Sequence, residues 1–89
     1  MYYVYILYSE KLDKLYIGRT EDLKRRIKDH NTGSSTFCKS GKPWKIVHYQ
    51  AFVSKKDSIR EESFLKTGKG RQRVNYLLES TLEEQRRGG

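Results

Sequence analysis

The chain has 89 residues, of which about a third are apolar and a third are charged, and this balance suits one small folded domain over residues 1–89. Nineteen Lys and Arg residues against eleven Asp and Glu residues give a net charge of +8, which favours an anionic partner, nucleic acid first and an anionic membrane surface second. No stretch approaches the ~18 apolar residues of a membrane span, the amino terminus lacks a secretory signal pattern, and a lone Cys38 cannot form an internal disulfide, so we expect a cytoplasmic protein that does not enter a membrane.

The first predicted elements are a hairpin and a helix. Residues 2–7 (YYVYIL) are β-branched and aromatic, as is typical of a buried strand. Residues 9–14 are polar and predict a turn, after which residues 15–17 form the return strand and Gly18 ends it. Thr20 is the predicted N-cap of a helix that ends near His30.

The second half of the chain predicts a third strand and two further helices. Residues 31–44 form a polar loop and residues 45–53 a strand, after which Ser54, with Asp57 three residues later, caps a helix that reaches about Thr67. Gly68 and Gly70 mark a break, and residues 83–89 are predicted to be a frayed basic tail. The predicted fold is therefore α+β, a small three-stranded antiparallel sheet flanked by helices. The last helix carries an apolar stripe of Val74, Leu77, Leu78 and Leu82.

Two adjacent arginines in the first predicted helix, Arg25 and Arg26, point in different directions. At about 100° per residue, Leu23 and Ile27 define the buried stripe of this helix. Arg26 and His30 lie on or beside that stripe, so we expect both to face the sheet, whereas Arg25 points outward. Because an unpaired charge in the interior is costly, Arg26 requires either a carboxylate at the edge of the core or a phosphate as its partner.

The second predicted helix carries two adjacent glutamates, Glu61 and Glu62. Relative to Ile59, which is taken as a buried residue, Glu62 lies on the inner side and Glu61 faces away. Glu62 also stands four residues before Lys66, the spacing of a surface ion pair worth a few tenths of a kcal/mol. The apolar residues of this helix do not share one face, so its pattern orients Glu62 less firmly than the first helix orients Arg26.

The ordered set of these residues resembles the GIY-YIG nucleases, and most closely their short stand-alone members, which resemble the catalytic subunits of structure-specific endonucleases. The resemblance covers roughly residues 2–78: YVY, ten residues, YIG, an arginine eight residues after the glycine, a histidine four beyond it, and a glutamate on a later helix. It departs from the family pattern at Tyr3, which stands where the family has a glycine, and a match of Asn75 to a family asparagine is loose. The resemblance implies a site formed by Tyr5, Tyr16, Gly18, Arg26, His30 and Glu62.

The family resemblance also implies the chemistry of that site. It makes Glu62 the single metal-binding carboxylate, for Mg²⁺ or Mn²⁺, and Mg²⁺ suits one carboxylate because it retains several waters. Arg26 is the catalytic arginine, whose fork can stabilise charge on phosphate oxygens. Tyr5 is taken as general base with His30 accepting its proton, and Tyr16 as the group that orients water or phosphate. The residues alone leave the choice between the two tyrosines open, because a tyrosine of pKa near ~10 is a poor base without a neighbouring cation.

The function that follows is a metal-dependent DNA endonuclease of DNA repair or recombination. Nothing in the sequence resembles a recognition helix or zinc finger, so selection of duplex or branched DNA is expected to need a protein partner or a homodimer. One alternative is a non-catalytic nucleic-acid-binding module that retains the nuclease fold, and another is a basic structural protein of an RNA-rich assembly. The residues predicted to contact backbone phosphates are Lys24, Arg25, Lys28, Lys66, Lys69, Arg71 and Arg73.

Overall fold

A computed structural model describes residues 1–32 and 40–87. Within these ranges the chain forms strands β1 (Tyr2–Ser9) and β2 (Lys14–Thr20), helix α1 (Leu23–Thr32), strand β3 (Trp44–Phe52), and helices α2 (Lys55–Leu65), α3 (Gly68–Leu77) and α4 (Glu79–Arg86). The predicted α+β fold with a three-stranded antiparallel sheet is confirmed. Half of the predicted loop over residues 31–44, including Cys38, lies outside the described residues.

The sheet has the order β2-β1-β3, so β1 is central and β2 is an edge strand. Every residue of β1 from Val4 to Ser9 is buried, because helices cover both faces of the sheet. Side chains that alternate along β1 therefore enter two different cores. The register places Tyr5 between Gly18 of β2 and Tyr49 of β3, which puts the predicted active-site tyrosine at the middle of the sheet.

One face of the sheet packs against α2, α3 and α4. Its core contains Val4, Ile6 and Tyr8 of β1 with apolar side chains of the three helices. The opposite face is covered by α1, and its core is smaller and more aromatic. There Tyr5, Leu7 and Trp44 pack with Leu23 and Ile27 of α1, as the helical phase of those two residues predicts. The other buried side chains of the first core are Leu65, Val74 and Leu82 of the three helices and Leu78, which joins α3 to α4.

Several predicted boundaries are wrong, each for a local reason. Gly18 does not end β2, because the strand continues to Thr20. Thr20 is not the helix cap, because Asp22 performs that role: its carboxylate accepts a hydrogen bond from Arg25 N at 3.2 Å. The predicted cap at Ser54 is confirmed, since its hydroxyl accepts from Asp57 N.

The carboxy-terminal third differs most from expectation. Gly68 and Gly70 lie inside α3, which Thr67 caps by accepting a hydrogen bond from Gly70 N at 3.1 Å. Gly70 is required there because an added Cβ would lie 1.9 Å from the Phe64 carbonyl oxygen, where α3 begins against the end of α2. The predicted frayed tail over residues 83–89 is helical as far as Arg86, and Gly88 and Gly89 lie outside the described residues.

No helix among the described residues is both long enough and apolar enough to cross a membrane.

Candidate active site

The floor of the candidate site is formed by Tyr5, Tyr16 and Gly18 on β1 and β2. Tyr5 is fully buried and lies opposite Gly18 across the strand pair. Its ring stacks near that of Tyr16, with centroids 6.3 Å apart and planes 26° from parallel. A Cβ on Gly18 would lie 2.4 Å from the Tyr5 hydroxyl oxygen. Gly18 therefore leaves room for the buried Tyr5 hydroxyl beside β2, and any larger residue at position 18 would displace that hydroxyl.

Helix α1 brings Arg26 and His30 to the same hydroxyl. Arg26 Nε donates to Tyr5 Oη at 3.2 Å, and His30 Nε2 lies 3.1 Å from that oxygen. His30 is buried at 3 % exposure and packs edge-on against the Tyr16 ring at 4.5 Å. The inward orientation predicted for Arg26 and His30 thus agrees with the geometry. The two side chains, 21 and 25 positions from Tyr5 in the sequence, contact the same oxygen atom.

The donor inventory fixes the direction of one of these two hydrogen bonds. A guanidinium only donates, so Tyr5 Oη accepts from Arg26. The direction of the bond between Tyr5 Oη and His30 Nε2 depends on the tautomer of His30, and Nε2 accepts the Tyr5 proton in the tautomer that carries its own proton on Nδ1. A neutral imidazole agrees with the pKa of His30, which is lowered by burial and further by the positive charge of Arg26.

Burial works against Tyr5 as a general base. Desolvation raises the pKa of Tyr5 above its ordinary value, and the hydrogen bond and charge of Arg26 lower it by less. The pKa of Arg26 is raised in turn, chiefly by its hydrogen bond to Tyr5. Arg26 thus lowers the pKa of Tyr5, as expected of a neighbouring cation, but burial raises that pKa by more. The arrangement suits a neutral Tyr5 that orients Arg26.

Arg26 has no carboxylate within salt-bridge distance among the residues that the structure describes. Besides Tyr5, it interacts with the Tyr16 hydroxyl. The residue as a whole is exposed even though Nε is engaged at the sheet surface. Of the two partners expected for an inward arginine, the protein carboxylate is therefore absent from this part of the chain, and the guanidinium stays accessible to an anion.

Helix α2 brings Glu62 within electrostatic reach of Tyr5. The Glu62 side chain is 23 % exposed, and its Oε2 accepts from Lys66 Nζ at 3.2 Å. Its charge lies close enough to contribute to the raised pKa of Tyr5. The predicted i,i+4 pair with Lys66 is thus present, and Glu62 lies within electrostatic reach of the hydroxyl that holds Arg26.

The prediction about the phase of α2 is wrong in part. Ile59, taken as buried, is 42 % exposed. Glu61, expected to face away, lies against β3, where its Oε2 accepts from Gln50 Nε2 at 2.8 Å. The inward face of α2 is a mainly polar stripe, and helical periodicity in apolar residues could not reveal it. The stripe consists of Ser58, Glu61, Glu62 and Leu65.

A cleft of about 680 Å³ opens beside Tyr16, between the free edge of β2 and helix α3. Asn75 and Arg71, one turn apart on α3, line it, as does Lys66 at the end of α2. The loosely matched Asn75 is thus on the cleft that Tyr16 also lines. Sequence reasoning missed two further cleft residues, Lys14 and Arg86. Lys14 had the signal of a cation beside an edge strand, whereas Arg86 was assigned to the tail.

The remaining basic residues predicted to contact phosphate lie on exposed helix surfaces. Lys24, Arg25 and Lys28 are on the outer side of α1, and Lys69 and Arg73 are exposed on α3. The structure therefore separates the seven predicted cations into an outer set on α1, an outer set on α3, and the pair Lys66 and Arg71 at the cleft.

The residues fit a single-carboxylate metal site better than a multi-ligand one. No cluster of three or more His, Cys, Asp and Glu side chains that could enclose an ion occurs within residues 1–32 and 40–87. Glu62 is a hard oxygen ligand with an accessible carboxylate. Mg²⁺ or Mn²⁺ held by Glu62, substrate oxygen and water is consistent with this donor set.

Comparison with known proteins gives concordant matches. Residues 1–75 match the model of the GIY-YIG catalytic domain. A UPF0213 protein of Streptococcus agalactiae serotype V is 31% identical over 83 residues, covering 92% of this chain and 93% of the relative. A UPF0213 protein of Clostridium perfringens is 33% identical over 86 residues, covering 96% and 91%. The solution NMR structure of a UPF0213 protein from Bacillus halodurans is similar with a TM-score of 0.54 and 33% identity, over 86% of this chain and 85% of that one.

Proposed function

Because the chain belongs to the GIY-YIG nuclease family, we propose that it is a divalent-metal-dependent endonuclease that hydrolyses phosphodiester bonds of DNA in repair or recombination. The observation that supports this most is the contact of Arg26 and His30 with the buried Tyr5 hydroxyl, beside the stacked ring of Tyr16. The exposed Arg26 guanidinium at its rim has no carboxylate partner among the described residues. A protein that only binds nucleic acid needs exposed cations, and it does not need a guanidinium fixed by a buried hydroxyl.

In this proposal Arg26 is the group that binds the scissile phosphate. Its Nε is fixed by Tyr5, so the rest of the guanidinium has a defined direction and can donate to non-bridging oxygens, where charge grows as the pentacoordinate species forms. Positioning is achieved before the substrate arrives, so little reorganisation is required during reaction. Tyr5 and His30 are positioning residues for Arg26.

Tyr16 is the hydroxyl that meets substrate or water. It is partly exposed and lines the cleft, whereas Tyr5 is inaccessible to solvent. This reverses the division of labour expected from the sequence, in which Tyr5 removes the proton and Tyr16 orients the water. A bound divalent cation would supply charge neutralisation and a lowered water pKa. Glu62 would hold it, and Lys66, which pairs with Glu62, would be a donor for phosphate oxygen.

The proposal is tested by incubating the purified protein with plain, flapped and branched DNA duplexes, with Mg²⁺, with Mn²⁺ and with EDTA. We expect metal-dependent cleavage that Arg26→Ala and Glu62→Gln each abolish while DNA binding in EDTA changes by less than about threefold. Arg60→Gln removes one exposed charge from α2, where Arg60 pairs with Asp57, and is the matched control. Cleavage that survives in both site variants would exclude the assignment, and binding without cleavage of any substrate would favour the non-catalytic module.

A protein partner or homodimer that selects the DNA structure is part of the same proposal. Each helix that the structure describes packs on the sheet or on another helix with one face. Analytical ultracentrifugation with and without DNA tests the homodimer.

A further inference from the structure

We propose that Asn31 and Trp44 are positioning residues of the candidate active site, and that Asn31 acts through Trp44 to hold the His30 ring against Tyr5. The inference rests on the proposed function, because it adds a layer of support behind the same site. Neither Asn31 nor Trp44 belongs to the set of site residues that the family resemblance implies.

Asn31 pairs with both backbone polar groups of Trp44. Asn31 Nδ2 donates to the Trp44 carbonyl oxygen at 3.0 Å, and Asn31 Oδ1 accepts from Trp44 N at 2.6 Å. Because hydrogen bonds are directional, two bonds made by one planar amide fix an angle as well as a distance. The last turn of α1 is therefore attached in one orientation to Trp44, the first residue of β3.

This attachment sets the rotation of α1 about its own axis. Arg26 and His30 are one turn apart on the same side of the helix, so a rotation moves both side chains across the sheet together. Leu23 and Ile27 pack against the sheet, but apolar contacts are not directional. Asn31, which follows His30 in the chain, supplies the directional contact that the apolar stripe lacks.

The side chain of Trp44 continues the support toward His30. Trp44 is only 2 % exposed, and its ring centroid lies 6.4 Å from that of His30 and 6.3 Å from that of Tyr16. The His30 ring also meets the ring of Tyr5 edge-on, with centroids 5.9 Å apart. Three aromatic rings thus surround one imidazole, and the position of the Trp44 ring depends on a backbone that Asn31 holds.

Gly41 contacts the Trp44 ring from outside α1. A Cβ on Gly41 would lie 2.5 Å from Trp44 Cζ2, so any side chain at position 41 would displace the indole. The Gly41 carbonyl accepts from the Ser9 hydroxyl at 2.6 Å, which joins this backbone to the end of β1. Gly41→Ala therefore offers a way to move Trp44 without altering α1.

A purely structural role for Asn31 predicts a different outcome from a positioning role. If the amide only stabilises the fold, Asn31→Ala lowers the free energy of unfolding but leaves the His30 ring of each folded molecule unchanged. If the amide positions the site, the state of the His30 ring changes in the folded protein, and the cleavage rate per folded molecule changes with it.

The test uses long-range ¹H–¹⁵N NMR spectra of the imidazoles, which give the tautomer and the pKa of both histidines of the chain between pH 5 and 8. The variants are Asn31→Ala, Trp44→Leu, the double variant and Gly41→Ala. Trp44→Phe, which retains an aromatic ring, replaces Trp44→Leu if that variant does not fold. Circular dichroism melts establish which variants are folded.

Thr67→Ala is the matched control, because Thr67 also makes two hydrogen bonds between one side chain and the backbone. Its hydroxyl donates to the Phe64 carbonyl oxygen at 2.6 Å and accepts from Gly70 N at 3.1 Å. His48, which pairs with Ile6 and faces the larger apolar core, is an internal reference in every spectrum.

We expect wild-type His30 to hold one neutral tautomer at pH 7, and Asn31→Ala to show a mixture of two. The pKa of His30 should rise in Asn31→Ala toward its ordinary value of about 6.5, because a ring that is no longer held is less completely desolvated. Arg26 and Asp29, whose charges also act on this pKa, are present in every variant. Gly41→Ala should shift His30 in the same direction, and the signals of His48 should not move.

The double variant tests the step through Trp44. If Asn31 acts through Trp44, removing Asn31 from Trp44→Leu should add little to the change at His30, so the two effects should not be additive. Asn31→Ala should also lower the single-turnover cleavage rate at saturating DNA by about 10–10²-fold, as expected of a small misplacement of a positioned group. DNA binding in EDTA should be unchanged, because Asn31 carries no charge.

A tautomer and pKa of His30 in Asn31→Ala that equal those of the wild type would overturn the inference. An equal change at His30 in Thr67→Ala would also overturn it, since any loss of stability would then have the same effect. Additive effects of Asn31→Ala and Trp44→Leu would exclude the action through Trp44.

The NMR measurement needs no cleavage, so failure of the proposed function and failure of this inference are distinguishable. A protein that cuts no DNA but shows the expected change at His30 would refute the proposed function alone. A protein that cuts DNA and retains the wild-type state of His30 in Asn31→Ala would refute the positioning role alone.

Discussion

The two faces of the sheet differ in what they bury. On the face covered by α2, α3 and α4, the β1 residues Val4 and Ile6 meet leucines and valines, as in an ordinary apolar core. On the face covered by α1, Tyr5 meets a neutral histidine and an arginine. Both faces exclude water, but only the first gains most of its stability by doing so. The difference indicates that the larger apolar core and the hydrogen-bonded cluster of Tyr5, Arg26 and His30 lie on opposite sides of one central strand.

The largest effect that would test this difference between the two faces comes from changing Arg26 while its positive charge is kept. Arg26→Lys retains a cation but cannot donate from a fixed fork while contacting Tyr5. We expect cleavage to fall by about 10²–10³-fold, as for loss of a preorganised donor, with the denaturation midpoint nearly unchanged. The single-turnover rate with saturating DNA measures this. Arg60→Lys is the control, and similar losses in the two variants would show that the geometry at Tyr5 does not matter.

The opposite result is expected from the apolar face. Leu65→Ala removes a side chain only 2 % exposed in that core and should lower the free energy of unfolding by about 2–5 kcal/mol. Leu77→Ala is the matched control, because Leu77 is 45 % exposed on the adjacent helix, and it should cost less than about 1 kcal/mol. Urea titrations give both values. A large loss of cleavage per folded molecule in Leu65→Ala would show that the two faces are coupled.

The sequence predicted the inward side of a helix only where apolar residues mark that side. The orientation of Arg26 was predictable because Leu23 and Ile27 mark the inward side of α1. The orientation of Glu61 was not, because the inward stripe of α2 is mainly polar and Ile59 is exposed. The tie of Arg86 to Asp13 joins residues 73 positions apart, and no local pattern encodes such a contact. Local periodicity therefore predicted the inward orientation of Arg26 and His30 and did not reveal the cleft.

The junction between α2 and α3 gives a smaller test on the apolar face. Gly70→Ala places a Cβ against the Phe64 carbonyl, so α3 must shift away from α2, and we expect a loss of about 1–3 kcal/mol. Gly68→Ala is the matched control, since nothing lies within 4 Å of its added Cβ. That substitution should be neutral or stabilise by up to about 1 kcal/mol. Equal melting temperatures for the two variants would contradict the close packing at Gly70.

The smallest expected effect is on the pH dependence of the free energy of unfolding. It distinguishes the two faces of the sheet because each holds one histidine. His30 contacts Tyr5 on the α1 side, and His48 pairs with Ile6 on the other. Burial lowers the pKa of both; the charge of Arg26 adds to the shift at His30, whereas Glu61 opposes it at His48. A lowered folded-state pKa means that the unfolded chain binds more protons below its ordinary value of about 6.5. The free energy of unfolding should therefore be fully supported above about pH 6.5 and fall as the pH drops toward 5.

His30→Gln should flatten this fall more than His48→Gln does, by at most about 1.4 kcal/mol per pH unit. Urea midpoints between pH 5 and 7.5 measure how the free energy of unfolding changes with pH. The variant with both His30→Gln and His48→Gln gives the part of that change that comes from carboxylates. Gln is chosen at position 30 because its amide oxygen can still accept the Tyr5 proton. If His48→Gln flattens the curve more, the charge of Arg26 does not add to the effect of burial on the pKa of His30. A larger effect of His30→Gln would instead show that protonation of its histidine costs the α1 face more stability than protonation of His48 costs the other face.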